Sequence, residues 1–519
     1  MHLQLGFPQA WYCIDMLPGC RGPSAIIFCF ISSISLFNGK VSVLVFITAK
    51  LVRLVVIVNR GNENIMTTDD VAAWLYENAT ATLTESADMG AMEMALRQAT
   101  LEPARKALER MVQEKASRQK MVCLQCGGDL NMESYDRGRN VTTSFETIHF
   151  VRDYGFCTRC AEYVYPADGA LGLHTRAPAS PKVQEICALT ALRAPAGQAQ
   201  NDVLRLTGIK LDSSTLHQEA TRQGRRALKM RDMDELLTQT PEGIAKLAGR
   251  AITPNAPFTL VIEIDAWNIR ERDNWGRTAA FKKKGEDTGR WHWVYTATVF
   301  RLDQRGTTAS GRPVIAERGY VATRKGIEAF QRQLYAEALQ RGLLQAELVL
   351  IIADGAIWIW NIAEDRFKGA IQRVDLHHVQ EHLWTLADEI YGRSTAEAKE
   401  WIQPLLSWLE RRNDGAMDVI NGLEGMKTTL SNLTEKQSAA IDREIHYFKE
   451  HKNRMDYKAG RKLGQPVGSG AIESTCSQYQ RRFKLTGQFW SLEGDEAFLA
   501  LSTLHRNGRW KQLFPYDPL

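Results

Sequence analysis

Apolar residues between positions 256 and 378 form short continuous runs. Segments whose apolar residues recur at helical spacing separate these runs. The predicted strands are Phe258–Asp265, Trp291–Phe300, Leu348–Ala353 and Ala370–Asp375. Helical spacing predicts one helix over Lys325–Arg341 and another that begins near Ile357. Leu348–Ala353 is apolar throughout, which is typical of a strand buried on both faces in the middle of a sheet. The order strand, strand, helix, strand, helix, strand predicts an α/β fold, a mixed sheet with flanking helices.

Helical patterns dominate the chain on either side of this sheet. The pattern of residues 66–120 predicts a helical region. Its capping residues are Thr67–Asp70, and a second helix begins at Pro103. Residues 379–464 predict an all-α segment, because three tryptophans lie on apolar stripes at helical spacing.

Residues 181–250 predict a helical, helix-turn-helix-like region. Gln198–Leu206 forms the first helix, Thr207–Ile209 forms the turn, and Ser213–Thr215 caps the second helix. The second helix of such a pair can enter a DNA major groove. A plain structural helix pair is the alternative, since glycine-turned pairs are also common as scaffold.

Residues 1–65 differ from the remainder in composition. Asn38–Lys40 separates two apolar runs, Ala25–Phe37 and Val41–Val58, and Lys50 and Arg53 interrupt the second run. A transmembrane helix needs about 20 mostly apolar residues, so neither run gives a clean span. We interpret this segment as an extension upstream of the functional start, which we expect at Met66. A membrane-associated segment is the alternative.

The length of 519 residues allows two to four domains. The apolar fraction of 44% and the charged fraction of 24% are those of an ordinary globular protein. The formal net charge of +5 permits nucleic-acid binding without requiring it, so the local arrangement of arginine and lysine has to decide.

Two Cys-x-x-Cys pairs, Cys123 with Cys126 and Cys157 with Cys160, are the sharpest local motif. Each pair can offer two thiolates to one tetrahedral Zn²⁺, and the strand pattern Thr142–Val151 lies between them. We predict one structural Zn²⁺ in a zinc ribbon over residues 121–175. A redox dithiol is the alternative, although it does not need a matched second pair.

Acidic residues follow two of the predicted strands. Asp354 comes directly after Leu348–Ala353, and Glu263 and Asp265 share one face of the first strand. On a third element, Glu473 follows a glycine-rich turn at the start of a predicted helix. Three acids on separate elements can hold two Mg²⁺ ions, which prefer oxygen ligands. A helix cap is the alternative for Asp354.

Several motifs in order along the chain resemble bacterial insertion-sequence transposases of the Kra type. They are ADGAIWIWN from Ala353, DLHH from Asp375, GSGAIES from Gly468 and QRRFKLTGQFWS from Gln480, and the resemblance covers roughly residues 120–510. This family is a branch of the DDE superfamily. The resemblance implies a ribonuclease H-like catalytic core over 256–378 and 465–510, interrupted by an all-α insertion over 379–464.

The resemblance also implies roles for single residues. Asp265, Asp354 and Glu473 would be the catalytic acids and would hold two Mg²⁺ or Mn²⁺ ions, with Glu263 as a substitute or helper for Asp265. Asp375 and His378 match an acid-x-x-His signature and would support the site. A helix cap and an ordinary satisfied histidine are the alternatives for these two residues.

Basic residues cluster around Glu473 and on the second helix of the helix pair, where they can neutralise DNA phosphates. The predicted DNA-binding residues are Arg222, Arg225, Arg226, Lys458, Arg461, Lys462, Arg481, Arg482 and Lys484. A solvated charged surface is the alternative, although it does not explain the clustering around Glu473.

These features together predict a DDE-type transposase that cleaves and joins double-stranded DNA at terminal inverted repeats and a target. We expect a cytoplasmic, nucleoid-associated protein that forms a homo-oligomer on DNA, without a membrane partner. Two alternatives stay open: a catalytically silent DNA-binding regulator derived from a transposase, and a metal-dependent nuclease without strand transfer.

Overall fold

The structure is a computed structural model that describes residues 67–173, 177–272, 283–284 and 289–516. It also describes the backbone of three strands near the amino terminus: β1 (Phe28–Leu36), β2 (Gly39–Thr48) and β3 (Leu51–Val56), which pair antiparallel in that order. The apolar runs of the extension therefore contain strands. The expected start at Met66 lies outside the described residues.

The chain divides into two units, residues 1–140 with 145–171 and residues 141–144 with 172–519. Besides β1–β3, the first unit holds two long helices and most of a three-stranded sheet with the order β4-β5-β6. Its elements are α1 (Thr68–Thr80), α2 (Met89–Ser117), β4 (Asn131–Thr143, ending in the second unit), β5 (Glu146–Cys157), β6 (Glu162–Val164) and α3 (Pro166–Ala170).

Three predictions in this first unit can be compared with the structure. The prediction of capping residues at Thr67–Asp70 is confirmed, because Thr67 and Asp70 bond each other's backbone N–H groups in a capping box. The prediction that Pro103 opens a helix is wrong, since Asp88 caps α2 and Pro103 lies inside it. The single strand Thr142–Val151 is also wrong, because the chain turns before Glu146, whose φ is +69°, and forms two strands.

The second unit is built on a five-stranded mixed sheet with the order β11-β8-β7-β12-β13. Its strands are β7 (Thr259–Arg272), β8 (Gly289–Arg301), β9 (Arg305–Thr307), β10 (Pro313–Ile315), β11 (Gly319–Thr323), β12 (Leu348–Ala353) and β13 (Ile371–Val374), with β9 and β10 as a separate hairpin. Strand β8 runs antiparallel to β7 and β11, whereas β12 runs parallel to β7 and β13. The predicted mixed sheet is confirmed.

Helices cover both faces of this sheet. The helices are α4 (Pro181–Ala191), α5 (Ala196–Thr207), α6 (Ser213–Leu237), α7 (Pro241–Ala248), α8 (Ile327–Gln340), α9 (Ile357–Arg366), α10 (Leu376–Tyr391), α11 (Ala396–Arg411), α12 (Gly415–Thr429), α13 (Glu435–His451), α14 (Tyr457–Lys462), α15 (Gly470–Phe483), α16 (Leu492–Arg506) and α17 (Trp510–Leu513). Leu260, Ile262 and Ile264 of β7 face the core of α8–α13. Trp267 and Ile269 face α4–α6, α15 and α16.

Two predictions about the sheet are corrected. Strand β7 does not end at Asp265 but continues to Arg272, because β8 pairs with it up to Arg272 opposite Gly289. Asp265 therefore lies in the middle of a strand. Strand β11, which is five residues long and lies at the sheet edge, was not predicted.

The helical predictions for this unit are largely confirmed. Helices α10–α14 account for the all-α segment, and its tryptophans pack against the main core. The pair α5 and α6 is present, with Gly208 between them at a φ of +70°. The cap of α6 is Asp212 rather than Ser213–Thr215, because its side chain accepts the N–H of Thr215. No helix among the described residues has the length and apolar character that crossing a membrane requires.

The close packing of α6 on α16 yields a test of this architecture. A Cβ atom at Gly224 of α6 would lie 2.7 Å from the backbone oxygen of Ala497 in α16. Gly224→Ala should therefore force the helices apart and lower the free energy of unfolding by ~1–3 kcal/mol. Gly197→Ala in α5 is the control, since nothing lies within 4 Å of its Cβ position. Equal urea midpoints for the two variants would contradict this packing.

Candidate functional site

The four predicted zinc ligands converge at one end of the small sheet of the first unit. The sulfur atoms of Cys123, Cys126, Cys157 and Cys160 all lie within 4.8 Å of one another. The Sγ distance is 3.5 Å between Cys126 and Cys157 and 3.9 Å between Cys123 and Cys160. A tetrahedron with Zn–S bonds of about 2.3 Å has sulfur atoms ~3.8 Å apart. The four cysteines can therefore hold a structural metal such as zinc.

The backbone around the first cysteine pair favours a thiolate. N–H groups of Cys126 and Gln125 point at the Cys123 sulfur and lower the pKa of that thiol to about 7. Neighbouring sulfurs have the opposite effect on Cys160, where hydrogen bonding with Cys126 and burial raise the pKa of the thiol to about 12. A bound metal requires deprotonated thiols, so metal binding at this site would release protons.

The two predicted aspartates lie side by side in the central sheet of the second unit. Strands β7 and β12 are parallel and adjacent, and Glu263 pairs with Ile352. Two residues further along both strands, the same register brings Asp265 beside Asp354. Consistent with this proximity, the charge of Asp354 contributes to raising the pKa of the Asp265 carboxyl.

Asp265 is partly buried, and its surroundings fix one of its oxygens. Burial is the largest cause of its raised pKa. Its Oδ1 accepts the N–H of Ala266 at 2.6 Å, and the thiol of Cys476 on α15 also bonds this carboxylate. These bonds and the charge of His378 partly offset the cost of burial.

Asp354 stands in the loop between β12 and α9. Its Oδ1 accepts the N–H of Ala356 at 3.0 Å, within the loop itself. The cap of α9 is Ala356, which makes no side-chain cap bond. The alternative that Asp354 caps this helix is therefore wrong.

Glu473 is exposed in the first turn of α15, and a buried acid holds the start of that helix on the sheet. Glu263 is only 2% exposed, and its Oε2 accepts the N–H of Ile472 at 2.8 Å. A second bond comes from the N–H of Ala471. Burial raises the pKa of Glu263 to about 8, and the charge of Asp375 adds to that effect. Glu263 therefore serves as a helix anchor rather than a substitute for Asp265.

Asp375 anchors the same helix from the other side. Its Oδ1 accepts the N–H groups of His377 and His378, so it caps α10 as the alternative supposed. Its Oδ2 accepts the N–H of Ser469 at 2.5 Å and also bonds the Ser469 hydroxyl. Asp375 thus joins the start of α10 to the start of α15, which is a supporting position as well as a cap.

His378 belongs to a cluster of aromatic rings beside the acids. Its ring centroid lies 5.1 Å from that of His382, which stacks on Tyr447 at 4.1 Å. Tyr447 in turn approaches Gly355, the neighbour of Asp354, and has a hydroxyl without a hydrogen-bond partner among the described residues. Sequence reasoning missed His382 and Tyr447, because only the fold brings the all-α segment back to Asp354.

None of the three predicted acids forms an ion pair with another described residue. Among the described residues, neither Asp265, Asp354 nor Glu473 lies within 4.0 Å of a basic nitrogen in an ion pair. They are also more widely spaced than the cysteines, which are the one described group with three or more ligand atoms within 4.8 Å. Two cations about 3.5–4 Å apart require a wider arrangement of ligands than one cation does.

No protein-family model matches this chain, and no curated protein matches it. The function therefore has to be inferred from the arrangement of the residues themselves.

Most of the predicted DNA-binding residues are accessible. The exposed ones are Arg225, Arg226, Lys458, Arg461, Lys462, Arg481 and Lys484, and Arg222 is partly buried beside Glu219. Arg482 differs, because it is buried, donates to the backbone oxygen of Ala191 at 2.8 Å and lies over the ring of Trp490. The prediction that Arg482 contacts DNA is corrected to a packing role.

The cysteine cluster predicts a metal-dependent first unit. Cys126→Ser should reduce the zinc content from one ion per chain to nearly none. It should also destabilise the first unit by several kcal/mol, because binding free energy at such sites is folding free energy. Cys187→Ala is the control, since Cys187 is buried in α4 of the second unit and should leave the zinc content unchanged. Protein purified without chelators that contains no zinc would contradict the prediction.

The anchor predicts different outcomes for two substitutions of Glu263. Because a pKa of about 8 leaves this acid protonated at pH 7, Glu263→Gln keeps a neutral acceptor for Ile472 and should leave the free energy of unfolding nearly unchanged. Glu263→Ala leaves buried N–H groups unsatisfied and should cost ~1–3 kcal/mol. Urea unfolding at pH 7 measures both, and equal losses for the two variants would show that the anchor is not formed.

Proposed function

We propose that this protein is a DNA transposase that cleaves and joins DNA strands with two bound Mg²⁺ or Mn²⁺ ions. One observation carries the proposal: Asp265 on β7 and Asp354 directly after the adjacent parallel strand β12 are close enough for their charges to interact, and neither has a basic partner among the described residues. Neighbouring carboxylates repel each other, and bound cations relieve that repulsion. Oxygen donors are also the ligands that Mg²⁺ prefers.

The fold supports a ribonuclease H-like core for this activity. Two acids are carried by the central strands of a five-stranded mixed sheet, and the third is carried by a helix on its face. The all-α segment α10–α14 lies between the second and third acids in sequence. These are the features that the resemblance to Kra-type insertion-sequence transposases implies.

The residues of this chain would hold the ions and orient the DNA. Asp265, Asp354 and Glu473 would be the ligands. The bonds from Ala266 and Ala356 each fix one aspartate oxygen, and both carboxylates would offer their remaining lone pairs to a cation. When bound, the ions would activate a water or a DNA 3′-hydroxyl and stabilise the leaving oxygen in an in-line displacement. Glu263 and Asp375 would position Glu473 through α15.

DNA binding would use surfaces other than the acids. The pair α5 and α6 would act as the helix-turn-helix, with Arg222, Arg225 and Arg226 near phosphates. Lys458, Arg461, Lys462, Arg481 and Lys484 would neutralise the strand that crosses the acids. The partners would be terminal inverted repeats and target DNA, and the chain would act as a homo-oligomer at the nucleoid in the cytoplasm.

The acids yield the central test. Asp354→Asn and Glu473→Gln keep the side-chain shape but remove a ligand charge. Both should lower cleavage and strand transfer by at least ~10³ in Mg²⁺, the scale of several kcal/mol of transition-state stabilisation. Folding and binding of DNA ends should persist. The substrate is duplex DNA carrying the terminal repeats that flank the coding sequence, and strand transfer is scored on a supercoiled plasmid.

A matched control and two further outcomes complete this test. Asp365→Asn removes an exposed carboxylate of α9 and should retain full activity. Near wild-type activity of Asp354→Asn would show that the three-acid assignment is wrong. Wild-type protein that binds ends without cutting them would instead indicate a regulator, and cutting without joining would indicate a nuclease.

A further inference from the structure

A large polar cavity opens beside α15, on a part of the surface that the predicted DNA-binding residues do not include. It has a volume of about 890 Å³ and lies between the hairpin β9–β10, the end of α8 and the segment that follows α16. Ser474 and Gln478 of α15 line it, so the cavity adjoins the helix that carries Glu473.

Arginine dominates the lining of this cavity. Seven arginines and a single acidic residue, Glu317, contribute to it. Arginine presents a planar fork of N–H donors that matches the oxygens of a phosphate group. Such an excess of one charge in a concave, polar site is an expected feature of an anion-binding surface.

Internal carboxylates neutralise part of this charge. Arg301 pairs with Asp303 at 2.6 Å, and Arg250 pairs with Asp234 at 2.8 Å. Arg341 and Arg509 share the single carboxylate of Glu337, at 2.9 Å and 2.7 Å. Among the described residues, four carboxylates including Glu317 therefore face seven arginines, an excess of three positive charges.

Two arginines of the cavity are available to a ligand. Arg312 is exposed at the hairpin β9–β10, and Arg318 is partly exposed just before β11. Among the described residues, neither side chain makes an ion pair or a hydrogen bond. The positive charge of Arg318 lowers the pKa of Glu263, partly opposing the effect of burial. The cavity and the anchor of α15 therefore interact electrostatically.

We propose that this cavity, through Arg312 and Arg318, binds the sugar-phosphate backbone of double-stranded DNA without reading its sequence. The proposal rests on the proposed function, because the adjoining acids give a reason for DNA to lie here. Arg312 and Arg318 would hold the backbone of the duplex beside α15, so that a strand could reach Glu473.

Binding of a 20-base-pair duplex of arbitrary sequence, with chelator present, tests the proposal without any cleavage. Each phosphate contact contributes about 0.9 to the slope of log affinity against log salt concentration. Arg312→Gln with Arg318→Gln should therefore reduce that slope by about 1.8 and weaken binding at least about tenfold near 0.15 M salt. The effect should be the same for a second, unrelated sequence.

A control of equal charge separates this site from general electrostatics. Arg393→Gln with Arg411→Gln also removes two exposed positive charges, from the all-α segment, and should leave the slope unchanged. Equal slopes for the wild type and the cavity variant would overturn the proposal. Thermal unfolding should show that both variants fold like the wild type.

Two further results distinguish the possible failures. Binding of ATP that the cavity substitutions abolish, together with unchanged duplex binding, would overturn the proposal in favour of a free phosphate ligand. In the other result, the cavity variant shows the reduced salt slope while the wild-type protein neither cleaves nor joins DNA in Mg²⁺. That pair of results would support DNA binding by the cavity and would reject only the transposase activity.

Discussion

The amino-terminal end of one helix, α15, is the point on which the candidate site depends. The first N–H groups of any helix have no partner within the helix and must find acceptors elsewhere. Here two buried carboxylates from the sheet region supply them: Glu263 accepts from Ala471 and Ile472, and Asp375 accepts from Ser469. A negative charge or acceptor at this end also interacts favourably with the helix dipole. The position of Glu473 follows from these bonds.

Burial sorts the acids of this region into two groups. Glu263 and Asp375 are almost completely buried, and their oxygens accept hydrogen bonds from backbone N–H groups. Asp265, Asp354 and Glu473 are partly or fully exposed and lack basic partners among the described residues. Sequence spacing alone treats Glu263 and Asp265 alike, since both lie on the same strand face. The difference is that α15 binds Glu263 through two backbone N–H groups, whereas it bonds Asp265 through the thiol of Cys476.

Local patterns were enough to predict much of this fold. Residues close together in sequence produce the uniform apolar run of β12, the alternation of β8 and the apolar stripe of α8. The spacing of the cysteine pairs was likewise enough to predict the metal ligands. The errors lie where a residue distant in sequence determines the end of a strand or the burial of a side chain. Pairing with β8 extends β7 past Asp265. Packing under α16 and against Ala191 buries Arg482, although Arg481 and Lys484 nearby are exposed.

The separation in sequence between the anchor and its helix has a consequence for biosynthesis. Glu263 bonds a backbone group 209 residues later in the chain. At ~5–20 residues per second, a ribosome needs about 10–40 s to make that stretch. During this time α15 does not yet cover the sheet, and Glu263 is exposed to water. Contacts of such long range form slowly, so the site would be assembled among the last events of folding.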